Sequence, residues 1–356
     1  MIVSWIKKHR APFLFLIFFL YLVIGAAAPF CYYKPVSQNT KKQVRTEDFY
    51  QEGESCDRAM ILETNQSAWD ERMRLMSLAR ERIILSTFDF RDGESSRDIL
   101  AVLLHKAREG VQVKILVDGF SGLVRMEPNK LFYALSSHPN VEIKLYNKLN
   151  LLTPWTSQGR MHDKYVIVDD YGYILGGRNT FDYFIGSYPA NSRSHDREVL
   201  VYNTAHGTEE GRKSSLCQVE SYFNQVWNLE VSSLFHDSAD LADTDSVARQ
   251  ARLLEERYGE LSCAYPLLLA CSNCSRPGVQ ASQAQEARSP VLPESNGKKE
   301  GGKAQSLLEG SALSYYQSHT VPTGRITLVS NPITIYGKEP VVFYTLSRLM
   351  EDAKRV

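Results

Sequence analysis

Between Gly159 and Asn179 the chain reads Gly-Arg-Met-His-Asp-Lys-Tyr-Val-Ile-Val-Asp-Asp-Tyr-Gly-Tyr-Ile-Leu-Gly-Gly-Arg-Asn, and this stretch constrains the fold more than any other. Apolar runs lie on either side of Asp169-Asp170-Tyr171-Gly172, which predicts a β-hairpin with its turn there. Polar residues are set into it at fixed spacing: His162, Lys164 and Asp169 as H-x-K-x4-D, then Gly176, Gly177 and Asn179. Strand side chains repeat every two residues, so His162 and Lys164 project from one face. A nucleophile or proton carrier then stands beside a cation, as chemistry on a phosphate requires. The plainer alternative is a solvated His and Lys at the mouth of a hairpin.

Elements of two kinds surround this hairpin. A helix is predicted from about Ser67 to Arg82, with Trp69, Met73 and Met76 at helical spacing, and Ile83-Ile-Leu-Ser-Thr-Phe88 follows as a buried strand. Ser95 or Ser96 can cap the next helix, whose stripe of Ile99, Val102, Leu103 and Ala107 ends at Gly110. Val111–Val117 and Val141–Tyr146 read as further strands, Val199–Tyr202 as another, and Leu216–Leu229 as a helix. Strand, helix and strand in succession form a βαβ unit, which implies a largely parallel sheet covered by helices.

Ala11 to Tyr33 carries no charged side chain, and as a helix is long enough to cross a hydrocarbon layer of about 30 Å. Ala26-Ala27-Ala28 raises the alternative of a cleaved signal peptide, but Pro29 would follow the cut and the apolar run is long for one. An uncleaved anchor over 1–33 is therefore expected. Lys7, Lys8 and Arg10 nearly balance Lys34, Lys41, Lys42 and Arg45 across it. Because short basic tails stay in the cytoplasm, the remainder is expected outside it. Residues 34–55 read as a linker, 56–235 as the main lobe, 236–320 as a charged and flexible connector, and 321–356 as the opening of a second lobe. The connector reading rests on a Ser-, Gly-, Pro- and Glu-rich stretch from Ser272 to Gly310. The second-lobe reading rests on Arg348-Leu-Met-Glu-Asp-Ala-Lys354, which echoes Arg74-Leu-Met-Ser-Leu-Ala-Arg80. In the first copy this helix leads into a strand; in the second the sequence stops at Val356. Internal duplication and truncation would explain both.

With 356 residues, 43% of them hydrophobic, the chain can build a core, and its formal net charge of zero argues against a generally basic nucleic-acid binder. Cys271-x2-Cys274, with Cys263 nearby, lacks a second pair or histidines at ligand spacing, so a local disulfide or free thiols remain open and no metal site is expected.

The H-x-K-x4-D array with its trailing glycines and asparagine resembles the signature of the phospholipase D superfamily. The residues around it, from about Cys56 onward, are similar to the bacterial cardiolipin synthase branch. That resemblance implies an α-β-α sandwich lobe, a reaction needing no cofactor, and two motifs per active site, of which this sequence carries one. It implies His162 as the nucleophile that forms a phosphohistidine, Lys164 and Asn179 on the non-bridging phosphate oxygens beside Gly177, and Asp169 in the last motif position. At a hairpin turn, Asp169 is as readily a loop-fixing residue. A downstream carboxylate would orient the histidine, with Asp196 the best match and Glu198 second; His195 lacks a lysine two residues on and reads as surface. The implied substrate is a phosphatidylglycerol-like phospholipid at a membrane, with a second lobe or a homodimer completing the site. Phosphatidyl transfer, hydrolysis, nuclease-like cleavage and an inactive single-motif fragment are the alternatives. Tyr183, Phe184, Tyr188 and the Leu149–Trp155 stretch suit either core packing or a lipid interface.

Overall fold

The computed structural model describes residues 9–31, 33–236, 240, 242–269, 301–333 and 338–353. Its eight longer helices are α1 (Arg10–Ala27), α2 (Asn65–Ser77), α3 (Glu94–Arg108), α4 (Lys130–Ser136), α5 (Ser215–Trp227), α6 (Asp245–Ala264), α7 (Gly301–His319) and α8 (Val341–Asp352). The strands are β1 (Asp57–Leu62), β2 (Arg82–Thr87), β3 (Gln112–Asp118), β4 (Val141–Tyr146), β5 (Tyr165–Val168), β6 (Gly172–Gly176), β7 (Glu198–Asn203), β8 (Ser232–Leu234) and β9 (Val321–Pro322). They form one sheet in the order β8-β4-β3-β2-β5-β6-β7-β1-β9.

Strand alternation divides the core in two. Ile83 and Leu85 of β2 enter one apolar cluster with the residues of α2, α3, α4 and α6, while Ile84 enters the other with Leu216, Phe223 and Trp227 of α5. The result is an α/β sandwich with a mixed sheet. The expected predominance of parallel strands is corrected: only β2–β3 and β3–β4 run parallel, and the six other neighbouring pairs are antiparallel. The βαβ reading was locally sound. It could not show that the motif hairpin pairs antiparallel with β2, nor that Asp57–Leu62 is a strand at all.

Local chemistry explains the helix boundaries. Thr64 caps α2 through Ser67 N–H at 3.0 Å, and the Ser67 hydroxyl receives Thr64 N–H in return at 3.1 Å. Neither Ser95 nor Ser96 caps α3. Asp182, 88 residues away, accepts from Glu94 N–H at 3.1 Å and Ser95 N–H at 2.8 Å, and Gly93 leaves room for that carboxylate.

Much of the expected connector is part of the lobe. Val247, Leu254 and Leu261 of α6 are buried at seven-residue intervals, which keeps them on one helix face against α3 and α4. Ala312 and Tyr316 of α7 are buried four residues apart, and Tyr315 donates to Glu71 at 3.0 Å. Residues 321–333, expected to open a second lobe, lie on the first: Val321 pairs with Ala59, and Ile326, Leu328 and Ile333 pack against the α5 side of the core. Cys263 is disulfide-bonded, whereas Cys271, Cys274 and the stretch 272–300 lie outside the described residues.

Candidate active site

The motif hairpin is present as β5 and β6, and it sits where the sheet changes direction. Strand β2 ends beside the start of β5, with Ser86 opposite Tyr165. The carboxyl ends of β2, β3 and β4 therefore open on the same edge as His162 and Lys164. In open α/β sheets, such a junction at the carboxyl ends of the strands is the usual place for a ligand.

His162 precedes β5 and is exposed, while Lys164 is buried. Both lie over Phe88, the residue after β2. The His162 ring is 4.8 Å from the Phe88 ring centre and Lys164 Nζ is 5.6 Å from it. Lys164 Nζ also donates to the His162 carbonyl at 2.6 Å, which ties the ammonium to the backbone of His162. Partial desolvation of the ring, reinforced by the Lys164 charge, lowers the His162 pKa against the opposing pull of Asp163. Burial alone lowers the Lys164 pKa to about 8, although Asp163, Asp196 and Asp89 all pull it upward. The pair thus presents a neutral ring nitrogen beside a cation around neutral pH.

Asn179 reaches the same edge from the end of the hairpin. Its side-chain oxygen accepts from Asp89 N–H at 3.0 Å, and Thr180 N–H donates to the Asp89 carbonyl at 3.1 Å. That bond fixes the Asn179 amide at the edge that carries His162 and Lys164. Gly177 serves close packing: a side chain there would lie within 3 Å of the Asp196 carboxylate.

Two expected site residues are placed elsewhere in the hydrogen-bond network. Asp169 lies beyond the far end of β5, on the order of 20 Å along the strand from His162. Its carboxylate accepts from Arg80, Glu81 and Arg82 N–H at 2.7, 3.0 and 2.7 Å, so it ties the hairpin turn to the entry of β2. Asp196 accepts from Arg197 N–H at 2.7 Å and lies in the field of Lys164. The His162 ring makes no hydrogen bond to it among the described residues, so orientation of the imidazole by Asp196 is absent in this geometry. Glu198 is committed too: it is buried and grips Arg72 at 2.6 and 2.7 Å, with Arg178 3.6 Å away. His195 is exposed, as expected. Phe184 and Tyr188 pack against the core, the Tyr188 hydroxyl on Asp98 at 2.6 Å.

Several positioning residues escaped sequence reasoning. Asp118, at the end of β3, is fully buried and accepts from Met161 N–H at 3.0 Å and Arg160 at 3.1 Å, which fixes the backbone just before His162. Arg178 is buried and donates to the Leu62 and Glu63 carbonyls at 3.1 and 3.3 Å and to the Asp196 carbonyl. A carboxylate directly after an apolar run, as in Val117-Asp118-Gly119, was the available signal for the first. An arginine between Gly177 and Asn179 gave none for the second. No group of three or more His, Cys, Asp or Glu side chains is placed to hold a metal ion among the described residues.

Residues 73–227 match the protein family described as cardiolipin synthase, PLD-like domain. Cardiolipin synthase C of Escherichia coli (strain K12) is 29% identical over 140 residues, which are 35% of this chain and 28% of that protein. The major cardiolipin synthase of Bacillus subtilis (strain 168) is also 29% identical over 140 residues, 38% of this chain and 28% of that protein. The chain thus matches little more than a quarter of the length of these relatives. Among solved structures, NucT from Helicobacter pylori shows a TM-score of 0.37 at 19% identity, covering 50% of this chain and 99% of that one. The phospholipase D family member Nuc from Salmonella typhimurium shows 0.35 at 16% identity, covering 50% and 97%. The family match places a phospholipase D-like domain of the cardiolipin synthase type in part of this chain.

Proposed function

We propose that the chain is a membrane-anchored phospholipase D-like enzyme that transfers phosphatidyl groups through a phosphohistidine. The observation that carries this reading is the exposed His162 imidazole, held neutral beside the Lys164 ammonium at the carboxyl edge of the sheet. A phosphodiester repels anionic nucleophiles, whereas a neutral ring nitrogen can attack phosphorus at ordinary pH. Lys164 and the Asn179 amino group would take the non-bridging oxygens as charge builds on them. A P–N bond forms, the P–O bond to the departing alcohol breaks, and that alcohol needs a proton from a second group. An acceptor alcohol then attacks phosphorus, gives up its proton to the same group, and frees His162. A lipid acceptor such as phosphatidylglycerol would give cardiolipin, and water would give phosphatidic acid.

The helix Arg10–Cys31 is long and apolar enough to cross a membrane. It would hold the domain at its substrate, with the short basic tail on the cytoplasmic side and the catalytic part beyond it. The test is to incubate the purified chain with labelled phosphatidylglycerol, alongside His162→Ala, and separate cardiolipin from phosphatidic acid. Either product from the wild type, lost in the variant, supports the reading and identifies the acceptor. Equal inertness of both at every protein concentration would overturn it in favour of an inactive fragment.

A further inference from the structure

The edge that carries His162 also carries an exposed apolar rim that the chemistry does not use. Phe120 and Leu123 follow β3, while Leu151, Leu152 and Trp155 follow β4; all five are exposed, Leu152 to 76%. The rim is bolted to the site. Asp118 accepts from Phe120 N–H at 2.9 Å as well as from Met161 N–H at 3.0 Å, so one carboxylate holds both the rim and the neighbour of His162. Asn147 donates to the Thr156 and Gly159 carbonyls at 2.8 Å each, fixing the second rim segment.

We propose that this rim beds in the lipid bilayer, so that the sheet edge carrying His162 lies at the level of the headgroups. The inference rests on the membrane-anchored reading above and adds which face meets the lipid. Continuity selects the bilayer as occupant: the Tyr21 hydroxyl of α1 donates to the Leu152 carbonyl at 2.6 Å, and Gly25 packs on Pro154. Tyr21 lies ten residues before Cys31, roughly 15 Å along a helix. The rim beside it therefore reaches into the near half of a hydrocarbon layer about 30 Å thick. Backbone groups there must be satisfied within the protein. The segment meets that demand in part: Leu152 N–H donates to the Asn150 side chain at 2.9 Å, Thr153 N–H to the Asn150 carbonyl, and Thr156 N–H to the Thr153 carbonyl. Exposed Arg125 and Lys148 flank the rim and suit anionic headgroups.

The full chain is reconstituted in phosphatidylglycerol–phosphatidylcholine vesicles containing acyl-brominated lipids, and tryptophan quenching is compared between wild type and Trp155→Phe. A quenched component that disappears in the variant is expected. An unquenched Trp155 would overturn the proposal, and if Trp155 were instead shielded by self-association in detergent, the rim would belong to a second copy. In parallel, Leu152→Glu should lower activity on vesicle phosphatidylglycerol at least tenfold while leaving cleavage of a water-soluble phosphodiester, bis(p-nitrophenyl) phosphate, within twofold. Equal activity of variant and wild type on both substrates would count against the rim and leave the catalytic reading intact. A wild type inert on both would count against the catalytic reading, and quenching would still decide the rim.

Discussion

At the residue scale, the two groups of the catalytic pair titrate on opposite sides of neutrality. His162 attacks only when neutral, and its pKa lies below the ordinary 6.5, so the acid limb of the rate profile falls below that value. Lys164 assists only when charged, and its pKa is lowered to about 8, so activity falls again as pH passes that point. The profile of kcat/KM is thus expected to be a bell with its alkaline limb near 8. Lys164→Arg keeps the charge and should carry the plateau above that limb, whatever it costs in absolute rate. An alkaline limb unmoved by Lys164→Arg would assign it to another group. Legibility at this scale followed distance along the chain. His162 and Lys164 are two residues apart, so strand geometry was enough to pair them. Phe88 and Asp118 lie 74 and 44 residues before His162, and only the sheet order brings them beneath it.

At the scale of elements, the motif hairpin is held at both ends by buried aspartates. Asp118 secures the catalytic end through Met161, and Asp169 secures the turn by accepting three N–H groups from the entry of β2. Asp169 also sits at a positive φ of 44°, a conformation that Asp tolerates better than most residues. The sequence held half of this: a turn-forming Asp was legible, but its three partners belong to a segment 87–89 residues earlier. Asp169 is buried and charge-assisted bonds are worth more than neutral ones, so Asp169→Ala should lower unfolding free energy by about 2–4 kcal/mol. Urea unfolding measures this directly. The same variant, assayed below its unfolding midpoint, should keep kcat within about twofold, because the residue stabilises the hairpin and is remote from phosphorus. A loss of kcat by orders of magnitude in a variant of near-normal stability would restore Asp169 to the chemistry. The parallel-sheet expectation failed for a related reason. Period and composition identified β2, β3 and β4, but antiparallel pairing of β2 with β5 is a non-local choice that neither pattern records.

At the scale of the molecule, the proposed chemistry needs a proton donor opposite the nucleophile. In-line displacement places the leaving oxygen on the far side of phosphorus from His162, so this imidazole cannot both attack and protonate. If a second copy supplies the acid, one copy's His162 attacks phosphorus while its partner's protonates the leaving oxygen, and each pair holds one joint site. Specific activity should then rise with protein-to-lipid ratio until pairing saturates. Doping gives a sharper reading, because His162→Ala chains pair with wild type yet leave the joint site one histidine short. With nine variant chains to each wild-type chain and random pairing, activity per wild-type chain should fall about tenfold. A control holding wild type alone at the same wild-type-to-lipid ratio separates loss of the histidine from dilution in the membrane. If activity per wild-type chain is unchanged by the His162→Ala excess, both groups reside in one chain. Exposed His195, next to Asp196 in the chain, then becomes the first residue to replace.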